Sequence, residues 1–393
     1  MTTQHPAAGD AADIAPSTGR DADAAPEAVQ SAALRFTCAS CGSSISYEPG
    51  TTLLKCPACG AEQEIADNGD TVVEHSYDQW ASLPAKPVAT IGKQVLLCRS
   101  CGAGTETDNL ADICQFCGGV LVAVDEPEGL IVPEAVVPFG VGSTAAKDAF
   151  VKWVRSRRFA PNALKKVGST EAIKGTYIPH WTFDAQTRTD YQGQRGDHYW
   201  VTVTHTVPDG HGGSRTESTQ EMRTRWSHAA GQVARDFDDV VVRASTRLPA
   251  DRLEKAGPWD LRTAVPFRPE YLAGFAALRY DVDPDAGLQD ARGRMEEVVE
   301  QDCRRDIGGD EQRVSRMNIR YAAVMFKLML LPLWIASYVY AGKTYQVVVN
   351  ANTGEVVGER PISKVKIALA VVAGLILVAA IVAVVVVLRR QGQ

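Results

Sequence analysis

Strands are expected at 177–191, 199–207, 216–227, 240–244, 327–340, 344–350 and 355–358, several of which alternate polar and apolar residues with a period of two. This is the pattern of strands with one face in a core and one in water. Pro208-Asp209-Gly210-His211-Gly212-Gly213 reads as an exposed hairpin loop, and Asn352-Thr353-Gly354 as a tighter one. Helical spacing takes over at 143–158, behind a Ser143 or Thr144 cap, and again at 284–307. In the second helix Leu288, Met295, Val299, Cys303 and Ile307 share a face, so Cys303 is expected to be an inert buried thiol. These elements predict a β-rich, antiparallel α+β domain over 131–362. Its signposts occur twice. Val137-Pro138-Phe139, a helix and Tyr177-Ile178-Pro179-His180-Trp181 are echoed by Val265-Pro266-Phe267, helices and Leu331-Pro332-Leu333-Trp334, which suggests two similar lobes.

Two runs do not alternate. Residues 328–340 are apolar but short, contain Pro332 and are rich in strand formers, so a buried strand is expected. Residues 367–388 carry no charge, proline or polar side chain. As a helix they would reach about 33 Å against a hydrocarbon core of about 30 Å, so a transmembrane helix is expected. Lys364 and Lys366 on one side balance Arg389 and Arg390 on the other, so charge does not set the orientation. With so little chain after Leu388, the expectation is a single-pass tail anchor in the inner (cytoplasmic) membrane, the bulk of the chain being cytosolic. Residues 1–34 are rich in Ala, Asp, Pro, Ser and Thr, lack aromatic residues and read as a disordered tail.

Cysteine adds the chemistry. Eight of the nine cysteines form four C-x-x-C-G knuckles, Cys38/Cys41, Cys56/Cys59, Cys98/Cys101 and Cys114/Cys117. Two intervening residues let a turn aim both sulfurs at one ion, and the following glycine supplies the positive φ that closes it. The first two knuckles lie fourteen residues apart and the last two twelve, enough for a hairpin between them. The chain therefore divides into ribbon 1 (35–67), a linker (68–93), ribbon 2 (94–124), the β-rich domain (131–362) and the anchor (367–388). Two structural Zn2+ ions are expected, because four thiolates leave no open coordination position. Disulfides would need an export signal, iron-sulfur ligation fits the layout less well, and cross-braced pairing of the two ribbons stays open.

The net charge of −6 disfavours a phosphate-binding surface, as does the balance within 35–67, where Arg35 and Lys55 face Glu48, Glu62, Glu64 and Asp67. The knuckles, the run Tyr177-Ile178-Pro179-His180-Trp181-Thr182-Phe183-Asp184-Ala185, the segment Phe237-Asp238-Asp239-Val240 and the closing Gly354-Glu355-Val356-Val357-Gly358-Glu359-Arg360-Pro361 resemble a bacterial family of membrane-anchored double zinc-ribbon proteins. Members of that family are often labelled transcription factor IIB type or primosomal-helicase-like. The resemblance brings no established activity, and the chain has neither a Walker A loop nor a helicase motif. Separately, 345–358 looks like the closing hairpin of PepSY-type domains.

His180, Asp184 and Asp190, with His198 and His205, form the best catalytic candidate, but no metalloprotease spacing or nucleophile elbow accompanies them. Arg195-Gly196-Asp197 is an adhesion tripeptide in letters only. Trp181, Trp200, Trp226, Trp259 and Trp334 are expected mainly in the core, some as partner anchors. The expected function is a non-enzymatic zinc-ribbon adaptor that recruits a cytosolic protein or large assembly to the membrane face. A nucleic-acid-binding regulator or a hydrolase built on His180 and Asp184 are the alternatives.

Overall fold

The computed structural model describes residues 30–34, 36–82, 94–97, 104–107, 109–113, 120–123, 131–156, 173–208, 214–340, 343–358 and 364–391. In chain order the strands begin with β1 (Gln30–Leu34), then β2 (Ser46–Tyr47), β3 (Leu53–Lys55) and β4 (Glu62–Glu64). β5 (His75–Ser76) runs into helix α1 (Tyr77–Ala81). Two hairpins follow, β6 (Gln94–Leu97) with β7 (Gly104–Thr107), and β8 (Ala111–Ile113) with β9 (Val120–Ala123). Then come β10 (Ala135–Val136), α2 (Ser143–Arg155), β11 (Ile173–Pro208), β12 (Ser214–Arg243) and α3 (Ala250–Ala256). β13 (Val265–Pro266), β14 (Ala276–Ala277), α4 (Pro284–Ile307), β15 (Glu311–Tyr340), β16 (Lys343–Asn350), β17 (Val356–Gly358) and α5 (Lys364–Gln391) complete the order.

The frame is three very long strands. β11 pairs antiparallel with β12 from His180 to Pro208 and with β15 from Ile173 to Gly196. Tyr177, Ile178, Trp181 and Phe183 of β11 and Phe326 to Leu333 of β15 are all but fully buried. Each such side chain contributes about 1.5–3 kcal/mol by leaving water. α4 closes one face. Its Leu288, Ala291 and Met295 pack against Trp181, Phe183 and Phe326, while Val299, Cys303 and Ile307 pack around Tyr191. Gly287 permits this approach, because a Cβ there would sit 2.8 Å from Trp181 Cδ1. Asn352 and Thr353 close the β16–β17 turn by donating their N–H groups to Asn350 Oδ1, at 2.8 and 3.0 Å. Capping of α2 falls to Gly142, with no side-chain hydrogen bond.

Three expectations about the architecture are corrected, and a fourth falls outside the described residues. The domain is not a purely antiparallel α+β unit but a mostly β structure built on a 14-stranded mixed sheet, in which β1–β6, β10–β15 and β11–β14 pair in parallel. The parallel partners are mostly two-residue strands, too short to carry a period. Nor are there two lobes: the two V-P-F segments pair with each other through β10 and β13, and the two aliphatic-Pro-Trp segments pair through β11 and β15, where Ile178 faces Leu331. Among the described residues there is one four-cysteine group; Cys98, Cys101, Cys114 and Cys117 lie outside them. Finally, the helix expected over 367–388 forms as α5, 28 residues long. Among the described residues, however, no helix is long and apolar enough to cross a membrane. That overturns the transmembrane helix, the single-pass tail anchor and the inner-membrane location.

The separate strands expected at 177–191 and 199–207 are one element, as are those at 216–227 and 240–244. The Gly-rich polar stretch between the first pair looks like a loop, but its glycines serve close packing within the sheet. A Cβ on Gly193 would lie 2.3 Å from the Arg313 carbonyl oxygen, and one on Gly196 would lie 2.7 Å from Thr224 Cγ2. The loop expected at 208–213 is flanked by the pair Pro208 and Ser214, while 209–213 lie outside the described residues.

Candidate metal centre and the polar groups of the platform

Cys38, Cys41, Cys56 and Cys59 converge. Their sulfurs all lie within 4.8 Å of one another, with Cys38 to Cys59 at 3.5 Å and Cys41 to Cys56 at 3.6 Å. Four sulfurs around tetrahedral zinc at about 2.3 Å sit roughly 3.8 Å apart, so this donor set fits Zn2+. The two knuckles are built alike. Gly42 (φ +73°) donates to the Cys38 carbonyl and Gly60 (φ +74°) to the Cys56 carbonyl, each at 2.9 Å. The return strands repeat the match, Cys38 N–H reaching Ser43 at 2.8 Å and Cys56 N–H reaching Ala61 at 2.9 Å.

Electrostatics favours a cation at the centre. The Ser43 hydroxyl and N–H hold Cys41 down at about 6, and the N–H groups of Cys41 and Ser40 lower Cys38. Cys59 receives the Ala61 N–H, yet the neighbouring sulfurs of Cys41 and Cys38 push it up to about 12. Like charges this close cannot all form unaided. A divalent ion removes the conflict.

The ribbon is fixed to the platform. Tyr47 N–H donates to the Ala273 carbonyl at 2.9 Å and Gly50 N–H to the Phe139 carbonyl at 2.7 Å. The Tyr47 ring meets Tyr271 edge-on at 5.3 Å, and Cys38, Cys56, Ile45 and Leu54 share one hydrophobic cluster with Phe139, Tyr177, Phe275 and Trp334.

The histidine and aspartate candidates do not form one site. At about 3.3 Å per residue, His180 and His205 lie some 80 Å apart along a single strand. Asp190 is half-buried and takes hydrogen bonds from Gln232 (2.6 Å) and Arg320 (2.7 Å). His198 faces Glu311 at 2.8 Å and His205 is exposed. Arg195 and Asp197 pair with each other at 3.0 Å within the strand. Trp181 and Trp334 are buried as expected, Trp226 lies under the Arg313 guanidinium, and Trp200 is 66% exposed.

Asp184 instead joins residues that sequence reasoning passed over. Both ladders of β11 shift register beside it, and Asp239 and Ala323 opposite take φ of +53° and +49°, where non-glycine residues rarely sit. Glu74, from the segment leading into β5, Asp184 and Asp239 bring carboxylate oxygens within 4.8 Å of one another. Lys327 lies among them, its Nζ 2.6 Å from both Glu74 and Asp239. Burial works against its charge, but the two carboxylates hold its pKa up. Asp184 accepts the Asp239 N–H at 2.7 Å; burial, then the Glu74 carboxyl, raise it to about 6. The doubled aspartate in Phe237-Asp238-Asp239-Val240 was the available signal, since a strand interior seldom tolerates one.

His180 opens onto a different place. A cavity of about 860 Å³ lies between α4, the 253–261 segment and β12, lined among others by His180, Val241, Arg243, Trp259 and Arg294. Burial lowers His180 to about 4, so the ring is neutral and its Nδ1–H donates to the Ile178 carbonyl at 3.0 Å. That leaves Nε2 as an acceptor. The Trp259 ring lies 6.2 Å away.

No protein family profile matches the chain, and no solved structure matches it. It is similar to an uncharacterized protein, YdjG, of Bacillus subtilis, 25% identical over 343 residues that cover 85% of this chain and 92% of that protein.

Proposed function

We propose that this chain is a non-enzymatic adaptor in which zinc ribbons and the long-stranded platform together recruit a protein partner or large protein assembly. The observation that carries this reading is the closed four-sulfur site whose ribbon shares a core with the platform. Four thiolates complete the coordination of one zinc and leave no position for substrate. A zinc so placed shapes a surface. The second knuckle pair, Cys98, Cys101, Cys114 and Cys117, holds the second structural zinc in this proposal. The scatter of His180, Asp184, Asp190, His198 and His205 also favours a binding role over hydrolysis.

The test is affinity capture from native lysate with the full chain as bait, followed by reconstitution with the purified candidate. A stoichiometric complex that survives nuclease treatment and weakens in Cys56→Ser supports the adaptor. Salt-dependent binding to nucleic acid with no protein partner would replace it, as would a turnover lost in His180→Ala.

A further inference from the structure

β12 is an edge strand: among the described residues it pairs with β11 alone. Exposed edges of this length invite pairing with another chain and are usually blunted by charge. Most of β12 follows that rule, with Arg215, Glu217, Glu221, Arg223, Arg225, Arg235 and Asp236 along it. Val240-Val241-Val242 does not. It is the one run of three β-branched residues in the strand, and it forms part of the wall of the 860 Å³ cavity.

The backbone there is aimed outward. Ala244 N–H bonds the Pro179 carbonyl of β11, so by alternation Val241 and Arg243 turn their N–H and C=O groups away from β11. The Arg294 guanidinium, donating to the Val241 carbonyl at 2.8 Å, marks the same direction. The two flanks differ in chemistry. α4 packs on the face that bears Trp181, whereas Trp259 packs beside His180, one residue earlier and therefore on the opposite face. On the α4 side Asp290 and Glu297 are exposed, and Gly293 between them leaves open space. On the other side lie Trp259, Leu253 and Leu261. Asp239 is matched by Lys327 and Glu254 by Arg294, so Asp290 and Glu297 together outweigh Arg243.

We propose that this groove binds an extended peptide as an added strand on β12, with basic side chains facing Asp290 and Glu297 and apolar ones facing Trp259. Main-chain hydrogen bonds to the Val241 N–H and to Arg243 give affinity, the Val241 carbonyl being held by Arg294, and the two unlike flanks select alternating basic and apolar residues. The proposal rests on the adaptor reading and names the partner's chemistry.

The test uses the full chain and a fluorescent, capped peptide of alternating Lys and Val, with an alternating Glu and Val peptide as control, read by anisotropy. The Lys–Val peptide should bind saturably, and about tenfold more tightly than the Glu–Val peptide. Val241→Pro removes an outward N–H that the β11 ladder does not use, so it should weaken binding about tenfold, whereas Val241→Ala should change it less than about twofold. Should Val241→Pro fail to fold, the surface pair Asp290→Lys with Glu297→Lys decides, and it should invert the preference toward the Glu–Val peptide. Equal binding of both peptides by the wild type, no binding of either, an unchanged affinity in folded Val241→Pro, or an unchanged preference in the charge-reversed pair overturns the groove. A protein partner captured equally by wild type and Val241→Pro sinks the groove and leaves the adaptor standing. Groove binding without any protein partner does the reverse.

Discussion

The cysteine site and the Glu74–Asp184–Asp239 cluster meet the same electrostatic difficulty by different means. Each gathers anionic groups within 4.8 Å, closer than such charges stand unaided. The cysteines lie on turns that carry no cation and await a divalent ion. The carboxylates surround Lys327, a cation delivered by the neighbouring strand and only 8% exposed. The first arrangement makes folding of a small module depend on zinc, and the second locks the segment before β5 onto the sheet without any ligand. A cluster of acidic residues is therefore not by itself a metal site; what stands at its centre decides.

Removing one member of each set should expose this difference. Cys56→Ser leaves three sulfurs, and because small zinc modules draw on the order of 10 kcal/mol from metal binding, ribbon 1 should lose both its zinc and its fold. Elemental analysis should fall by one zinc ion per chain. Lys327→Met should cost about 1–3 kcal/mol in denaturant unfolding, because it strands half-buried carboxylates, with no change in zinc content. Adding Asp239→Asn should recover part of that loss.

Acidity sharpens the picture further. Burial holds His180 near 4 against the ordinary histidine value of 6.5, so it contributes stability that is present above about 6.5 and lost as the pH falls toward 4. The shift corresponds to about 3 kcal/mol. Asp184 is raised to about 6 from 3.8, so its stabilisation is present below 3.8 and lost as the pH rises through 6. Its half-buried carboxyl makes this effect smaller, about 1 kcal/mol after screening. Unfolding midpoints measured from pH 4 to 7 should rise more steeply in Asp184→Asn than in the wild type. In His180→Phe they should flatten or fall. The smallest effect belongs to the exposed outer part of β11, where Trp200→Ala should change stability by less than about 0.5 kcal/mol.

What could be read in advance follows from range. The Cys38/Cys41 and Cys56/Cys59 knuckles, the 284–307 helix and the buried strand containing Pro332 depend on spacing within a few residues, and each lies where its spacing put it. The Lys327 cluster depends on residues 74, 184, 239 and 327 meeting across three strands and an extended segment. No local period encodes that meeting. Gly193 and Gly196 misled because glycine marks a loop and a close strand contact alike. The apolar run at 367–388 did announce a helix, though apolarity alone did not establish a span.

The central claim is that zinc at the first site rivets ribbon 1 to the platform. Hydrogen exchange on the full chain, before and after removal of zinc by a chelator, tests it most directly. Protection should collapse over 36–65 and weaken over 271–275, where Tyr47 and Ala273 are bonded, while β11 and β15 stay protected. Unchanged protection over 36–65 in zinc-free protein would contradict the account.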